Sequence, residues 1–235
     1  MALPIAVLLS GGGSNLQSII DKIEEGVLDA EIRLVLSNKA SAFGIERAKK
    51  HGIPYAVLSH KDYRSREEYD RAMVKAINEH GVSAPEGAVL MAGFMRMVTS
   101  ELLSAFPHRV VNIHPALLPS FPGVHGQGDA ADYGVKISGA TVHFVDEEMD
   151  HGPVIIQAAV PCNAGEDGGH LGPRILKLEH RIYPQAIQWL AQDRLSIEGR
   201  HVHLKVAGLP LAPAPRADVE PSANALVWPP LEEGF

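Results

Sequence analysis

Cysteine is almost absent from this sequence of 235 residues, which contains only Cys162. A single cysteine cannot close an internal disulfide, and cysteines cannot supply the four ligands of a structural zinc site. Long apolar runs are also missing, since no stretch reaches the roughly 18 residues that a membrane-spanning helix requires. The amino-terminal segment MALPIAVLLS lacks the basic flank of a secretory signal. We therefore expect a cytoplasmic protein in which Cys162 is a buried free thiol.

Basic residues are outnumbered, with 21 Lys and Arg against 28 Asp and Glu, so the formal net charge is −7. Binding to nucleic acid requires clustered Lys and Arg, and this balance argues against it. A small anion remains compatible, because a local nest of backbone N–H groups can hold a phosphate in an acidic protein. The expected partners are small molecules, with neither nucleic acid nor membrane, and the expected assembly is a monomer or a homodimer.

The first 110 residues alternate apolar runs with helical patterns. Strands are predicted at 4–9, 31–36, 55–58, 87–92 and 109–113, with helices between them. This order predicts an α/β fold with a doubly wound, mostly parallel sheet. In the second half, 114–132 is predicted to be loop, 140–145 and 153–160 a β-hairpin that extends the sheet, 171–192 a long helix, and 195–206 a small hairpin.

The organisation predicted from these patterns is one domain over 1–205. Its amino-terminal half, 1–110, is the nucleotide-binding and phosphate-binding part, and 111–205 is the catalytic part. The remaining 206–235 contain six prolines after Gly208. That density predicts an extended or disordered tail without regular structure.

A glycine-rich turn follows the first strand and opens the first helix, with the sequence Ser10-Gly11-Gly12-Gly13-Ser14-Asn15. Converging N–H groups at a helix start form an anion site. Leu16 stands where the dinucleotide fingerprint has its third glycine, and the Gly-Lys-Ser/Thr of the triphosphate loop is absent. Two interpretations stay open: a site for a monophosphate, or a tight turn in which Ser14 or Asn15 caps the helix.

Asn112 and His114 end the fifth strand two positions apart, so both side chains point to one face. An amide can stabilise an oxyanion and an imidazole can move protons near neutral pH, which suits acyl transfer. No serine or cysteine nucleophile accompanies them, so direct attack by a substrate amine is favoured over an acyl-enzyme. The alternative is a pair that only binds loop carbonyls.

The loop from Asp146 to Asp150 contains four carboxylates in five residues. It is either a solvated turn or the source of a carboxylate that binds His114, and the sequence does not select which. His143 lies within a predicted strand and is interpreted as structural. His201 and His203 share a strand face but lack a third ligand nearby, so no metal is expected.

Seven segments together resemble the folate-dependent phosphoribosylglycinamide formyltransferases. In order they are IAVLLSGGGSNLQSII, VLSNKASAFGIERAKKHGIP, SREEYD, LMAGFMRMV, VVNIHPALLPSFPGVHG, TVHFVDEEMDHGPVIIQAAVP and LEHRIYPQAI. They span about 5–190. The resemblance implies transfer of the formyl group of 10-formyltetrahydrofolate, a co-substrate, to the amine of phosphoribosylglycinamide in purine biosynthesis, without a metal.

The resemblance also makes 111–205 the folate half as well as the catalytic one, and it implies a role for particular residues. The catalytic group would be Asn112, His114 and Asp150, with Asp150 keeping the imidazole charged and oriented. The acceptor would be bound through its phosphate by Gly13, Ser14 and Asn15, and through its glycinamide end by Glu179. The folate would be bound by Arg66, Phe94, Met95, Arg96, Met97, Val98, Asn112, Val145 and Asp146.

Two glycine-rich stretches depart from the family pattern. Gly126-Gln127-Gly128-Asp129 stands where relatives have a His/Arg-rich helix start, and Glu166 to Pro173 is unusually rich in glycine. Three other functions remain as alternatives. A methionyl-tRNA formyltransferase should carry a basic carboxyl-terminal domain. A formyltetrahydrofolate hydrolase should carry an amino-terminal regulatory domain and lack the phosphate turn. A catalytically silent folate- or nucleotide-binding protein is the third.

Overall fold

The computed structural model describes residues 2–205 and 226–235. It divides into two compact units, the first built from Met1–Asn112 with Phe144–Glu147 and the second from Ile113–His143 with Glu148–Phe235. The boundary falls within one strand, between Asn112 and Ile113.

The first unit alternates strands and helices. Its strands are β1 (Leu3–Leu9), β2 (Ala30–Ser37), β3 (Tyr55–Val57), β4 (Ala88–Met91) and β5 (Val110–His114), and its helices are α1 (Ser14–Glu24), α2 (Phe43–Lys50), α3 (Arg66–Glu79) and α4 (Ser100–Ala105). The strands are parallel, in the order β3-β2-β1-β4-β5. The order reverses between β1 and β4, which is the switch point where such sheets bind ligands.

Helices cover both faces of this parallel sheet, as a doubly wound fold requires. On one face, Ala6 and Leu8 of β1 belong to the core cluster that contains Met73 of α3 and Leu102 of α4. On the other, the side chain of Leu9 lies against Gly44 of α2, where an added Cβ would come within 2.4 Å of it. The predicted α/β class is therefore confirmed.

The second unit combines a hairpin with a long helix. Its elements are α5 (Gly126–Tyr133), β6 (Ile137–Phe144), β7 (Val154–Pro161), α6 (Gly168–Ala191), β8 (Leu195–Glu198), β9 (His201–Leu204) and β10 (Leu226–Trp228). β6 pairs with β7 and β8 pairs with β9 in antiparallel fashion, which confirms both predicted hairpins. The predicted long helix is α6. Cys162 is buried and free, as expected.

Helix α5 corrects the prediction that 114–132 is loop. It begins at Gly126, inside the stretch that departs from the family pattern. The two glycine-rich departures face each other: a Cβ added to Gly168 at the start of α6 would lie 2.9 Å from the Cα of Gly128. Each backbone can approach the other because a side chain is missing there.

The end of the chain corrects the prediction that no regular structure follows Gly208. Residues 206–225 of the predicted tail lie outside the described residues, but Leu226–Trp228 form β10, which pairs with β7. Val227, Leu231 and Phe235 are buried. The prolines at 229 and 230 come directly after β10 and end it, since proline lacks the N–H that would continue the pairing.

Candidate functional site

The glycine-rich turn has the geometry of an anion site in the first unit. Gly13 is the N-cap of α1, with φ 70°, and no side chain caps the helix. The predicted alternative, in which Ser14 or Asn15 caps α1, is therefore wrong. Ser14 is instead the first helical residue and Asn15 is buried in the first turn. The first N–H groups of a helix have no acceptor within it, so this end carries donors for an anion.

Ser10 joins the turn to the segment after β4. Its hydroxyl donates to Asn38 Oδ1 at 2.7 Å and accepts from the N–H of Met95 at 2.9 Å. Its own N–H donates to the carbonyl of Gly93 at 3.0 Å. The predicted phosphate turn and the start of the predicted folate segment are thus tied together at the switch point between β1 and β4.

The predicted folate segment after β4 has alternating exposure. Phe94 and Val98 are buried, whereas Met95 and Met97 are 55% and 43% exposed. The guanidinium carbon of Arg96 lies 5.5 Å from the ring centroid of Tyr69. The Nε of Arg96 is buried and has no hydrogen-bond partner among the described residues. The segment therefore offers two exposed thioethers and one donor without an acceptor.

Arg66 is the first residue of α3 and is exposed. A modified capping box stands at this helix start. The hydroxyl of Ser65 accepts from the N–H of Glu68 at 3.1 Å, and the Glu68 carboxylate accepts from the N–H of Arg64 rather than of Ser65. Because the cap fixes the backbone at the start of α3, it also fixes the position from which the side chain of Arg66 extends.

The remaining predicted residues of the first unit lie on β5 or follow β6. Asn112 is half-buried and pairs with Met91 of β4. Val145 and Asp146 are half-buried, and the N–H of Val145 donates to the carbonyl of Val110 at 2.9 Å.

His114 and Asp150 are brought together in the second unit. His114 is 3% exposed, and its Nδ1 lies 3.5 Å from Asp150 Oδ2. The same carboxylate oxygen accepts from the N–H of Gly123 at 2.7 Å. Asp150 has φ 53°, a left-handed conformation uncommon outside glycine. Asp150 is therefore a carboxylate of this loop that faces the imidazole.

The other ring nitrogen of His114 faces a carbonyl. Nε2 lies 2.8 Å from the carbonyl oxygen of Phe121, and because a carbonyl only accepts, this contact requires a proton on Nε2. A Cβ added to Gly126 would lie 3.2 Å from the same nitrogen. His143, predicted to be structural, is buried with Nε2 3.9 Å from Asp150 Oδ1.

Glu179 lies inside α6 and is 6% exposed. Tyr183 follows one helical turn later and is fully buried. Burial, and then the charge of Glu179, raise the pKa of Tyr183 well above its usual value. Glu179 is thus a buried charged residue one helical turn from a buried tyrosine.

Arg47 of α2 is the polar residue at the turn that the sequence patterns missed. Its Nε donates to the carbonyl of Gly12 at 2.9 Å. On the sequence it resembles its helix neighbours Lys49 and Lys50, because the partner lies 35 residues away. No local pattern could have separated it from them.

Metal sites and membrane-spanning helices are both missing from the part of the chain that the structure describes. Within 2–205 and 226–235, no group of three His, Cys, Asp or Glu side chains is arranged to hold a metal ion. In the same ranges, none of the helices combines the length and the apolar character that crossing a bilayer demands.

Comparison with known proteins gives consistent matches. A family model described as formyl transferase matches residues 3–187. The phosphoribosylglycinamide formyltransferase of Escherichia coli (strain K12) is 43% identical over 206 residues, which cover 88% of this chain and 95% of that protein. The human trifunctional purine biosynthetic protein adenosine-3 is 40% identical over 193 residues, which are 82% of this chain and 19% of that protein. The chain thus spans about a fifth of the human relative.

Solved structures agree with these relatives. Glycinamide ribonucleotide transformylase 1 from Symbiobacterium toebii matches with a TM-score of 0.83 and 45% identity, covering 86% of this chain and 94% of that one. The phosphoribosylglycinamide formyltransferase of Coxiella burnetii matches with a TM-score of 0.80 and 37% identity, covering 87% and 94%. Since the family model and these relatives each match most of the chain, the chain belongs to the formyl transferase family, among its phosphoribosylglycinamide formyltransferases.

Proposed function

We propose that the chain transfers the formyl group of 10-formyltetrahydrofolate to the amine of phosphoribosylglycinamide, a step of purine biosynthesis. The observation that carries this proposal is the glycine-rich turn, with Gly13 as N-cap and no side-chain capping hydrogen bond at the start of α1. This turn can bind the phosphate of a phosphorylated acceptor, whereas the water that a hydrolase consumes has no phosphate to bind there. The E. coli relative, whose length the chain nearly spans, is named for the same reaction.

Each acceptor-binding residue has a role in this proposal. Gly13, Ser14 and Asn15 bind the phosphate through the start of α1, because backbone N–H groups and the helix dipole favour an anion there. Glu179 binds the amine-bearing end of the acceptor through its buried carboxylate, an assignment that the sequence resemblance supports.

The folate contacts come from four places in the first unit. Phe94 to Val98 line one side of the folate, with Arg96 Nε donating to an acceptor atom of the co-substrate. Arg66 supplies a cation at the exposed start of α3. Val145 and Asp146, with Asn112, contribute the remaining polar contacts. The sequence resemblance supports these assignments.

The proposed chemistry needs no covalent enzyme intermediate. The acceptor amine attacks the formyl carbon, a C–N bond forms, and the carbonyl electrons move to oxygen. The amide of Asn112 and Nε2–H of His114 donate to this oxyanion. As the bond to N10 of the folate breaks, N10 takes up a proton while the new amide nitrogen loses one, and His114 carries protons between these positions.

Asp150 serves His114 in this scheme. Its carboxylate lies beside Nδ1 and is itself held by the N–H of Gly123. It therefore fixes the ring so that Nε2 is the nitrogen turned toward the reaction. In the described structure Nε2–H donates to the carbonyl of Phe121, and the developing oxyanion would replace that carbonyl as acceptor.

Formyl transfer is tested directly with purified protein, 10-formyltetrahydrofolate and phosphoribosylglycinamide. Release of tetrahydrofolate should depend on the acceptor. Equal release without the acceptor would identify a hydrolase. Activity with methionyl-tRNA in place of phosphoribosylglycinamide would identify the tRNA-directed enzyme. We also propose a cytoplasmic location. The proposed oligomeric state is a monomer or a homodimer, which analytical sedimentation would test.

A further inference from the structure

Arg47 is tied on several sides yet has no role in the proposed reaction. Nε donates to the carbonyl of Gly12, and Nη1 donates to Gln17 Oε1 at 3.0 Å. Its guanidinium carbon lies 5.2 Å from the ring centroid of Phe43. A planar guanidinium held by two acceptors and an aromatic ring has little freedom, so it can fix the position of what it binds.

The acceptor on Gln17 is itself fixed. Nε2 of Gln17 donates to Asp21 Oδ1 at 2.8 Å and lies 3.2 Å from Nε2 of His51. Arginine can only donate, so the amide of Gln17 must turn its oxygen toward Arg47. The side chain of Arg47 therefore links α2 to the glycine-rich turn and to the first turn of α1.

The turn needs this link because its own glycine residues do not fix its backbone conformation. A Cβ added to Gly11 or Gly12 would meet nothing within 4 Å, so no side-chain packing restricts these positions. Glycine adopts positive and negative φ with similar ease, and a peptide between glycines can rotate at little cost. What restrains the turn is its carbonyls: the N–H of Gly44 donates to Gly11 at 3.0 Å, and Arg47 binds Gly12.

The restraint on the carbonyls determines where the N–H groups point. The peptide bonds at Gly11–Gly12 and Gly12–Gly13 are trans, so the C=O and N–H of each point in opposite directions. Because both carbonyls point to donors of α2, the N–H groups of Gly12 and Gly13 point away from α2. A rotated Gly12–Gly13 peptide would instead present its oxygen to the phosphate and repel it.

We propose that Arg47 is a positioning residue for phosphate recognition: by binding the carbonyl of Gly12 it orients the N–H of Gly13 toward the substrate phosphate. Arg47 thereby sets the preference for a phosphorylated acceptor. The inference rests on the proposed function, in which this turn binds the phosphate.

The test compares Arg47→Gln and Arg47→Lys with Lys49→Gln as control. Lys49 lies on the same helix, and its Nζ pairs with Glu46 Oε1 at 2.7 Å, away from the turn. Steady-state kinetics are measured with phosphoribosylglycinamide and with its dephosphorylated nucleoside. Arg47→Gln should raise KM for the ribonucleotide about tenfold, the size expected from losing one charged hydrogen bond, and leave kcat within about twofold. For the nucleoside, kcat/KM should not change.

Arg47→Lys separates orientation from charge. An ammonium keeps the charge but lacks the fork that reaches Gly12 and Gln17 together, so KM for the ribonucleotide should again rise. A wild-type KM in either variant would overturn the inference, and so would an equal loss of kcat/KM on the nucleoside. Lys49→Gln should behave like wild type, and a matching rise in KM there would show that helix charge alone matters.

A binding measurement keeps the inference testable without catalysis. Amide resonances of Gly12 and Gly13 are followed while ribose 5-phosphate is added. They should shift and saturate in the wild-type protein and require about tenfold more ligand in Arg47→Gln. If this difference appears in a protein that transfers no formyl group, the proposed function fails and the inference stands. Wild-type resonances that ignore ribose 5-phosphate would overturn the inference even in an active enzyme.

Discussion

At the scale of single residues, His114 is placed for proton transfer by two acceptors, one at each ring nitrogen. General acid–base groups contribute about 10²- to 10⁴-fold in rate. We therefore expect His114→Ala to lower kcat for formyl transfer by about that factor, while folate binding measured by fluorescence titration changes little. A near-normal kcat in a folded variant would contradict the mechanism.

Asp150 and His114 should behave as one unit. Asp150→Asn keeps the shape of the side chain and removes its charge, so it should also lower kcat. Because Asp150 acts through His114, the double variant should lose much less than the product of the two single losses. Losses that multiply in full would show that the two residues act independently. The matched control is Glu148→Gln, which changes an exposed carboxylate of the same loop.

Glu179 carries a separate prediction about the acceptor. Glu179→Gln keeps the volume of a buried side chain and removes the charge that would bind the substrate amine. KM for phosphoribosylglycinamide should rise about tenfold or more, and folate affinity should be unchanged. Glu198→Gln, an exposed substitution, is the control. Loss of folate affinity with an unchanged KM would assign the α6 face to the co-substrate.

Sequence reasoning reached some of these residues and not others for physical reasons. Asn112 and His114 end a buried strand at a spacing that fixes their common face, so pattern alone made them candidates, while their catalytic role came from the resemblance. Asp150 was chosen by resemblance, because four neighbouring carboxylates look alike and the left-handed backbone that turns this one toward His114 leaves no mark in the sequence. Arg47 was missed because its acceptor is distant in sequence.

At the scale of elements, the parallel strands of the first unit were predictable because each is a continuous apolar run bounded by turn residues. Helix α5 was not, since Gly126, Gly128 and Asp129 are all poor helix formers. It packs against α6 at a point where both helices have a glycine. Tertiary packing of this kind overrides local helix propensity. The contact partner lies about 40 residues away, beyond the reach of any local pattern.

The contact between α5 and α6 predicts an asymmetry between two glycines. Gly168→Ala would place Cβ 2.9 Å from the Cα of Gly128, a backbone atom that cannot turn aside, and should destabilise the fold by about 1–3 kcal/mol. Gly128→Ala meets nothing within 4 Å and should be neutral or stabilising by up to about 1 kcal/mol, because alanine is the better helix former. Urea unfolding of both variants measures the difference. Equal destabilisation would mean that the close approach does not decide the energy.

At the scale of the whole molecule, the last ten residues contact helix α6, which lies some 40 residues earlier in the sequence. Glu232 accepts from Trp189 Nε1 at 3.1 Å and from Arg194 at 2.6 Å, and its N–H donates to Gln185 at 2.7 Å. Arg181 donates to the carbonyl of Phe235. Proline density predicted a tail without structure because it reports on the local backbone only, while these contacts come from buried groups far apart in sequence.

This return also changes what is expected of the tail. From the prolines alone, removing everything after Gly208 would leave kcat within a factor of about three. Such a truncation would also remove β10 from β7 and the carboxylate from Arg194, which is 7% exposed. The truncated protein should therefore lose stability first, and its activity should be judged only where it is shown to be folded.

A single substitution isolates the contribution of Glu232. Glu232→Ala leaves Arg194 buried without its carboxylate, and removing one partner of a buried pair typically costs about 3–5 kcal/mol. Glu233→Ala changes the exposed neighbouring residue and should stay within about 0.5 kcal/mol of the parent. Both are measured by urea unfolding in a Trp228→Phe background, where Trp189 is the remaining tryptophan of the chain. Its fluorescence reports on the helix that binds Glu232. If Glu232→Ala unfolds at the same urea concentration as Glu233→Ala, the contacts of Glu232 do not stabilise the fold, and a loss of stability on truncation would have to come from β10.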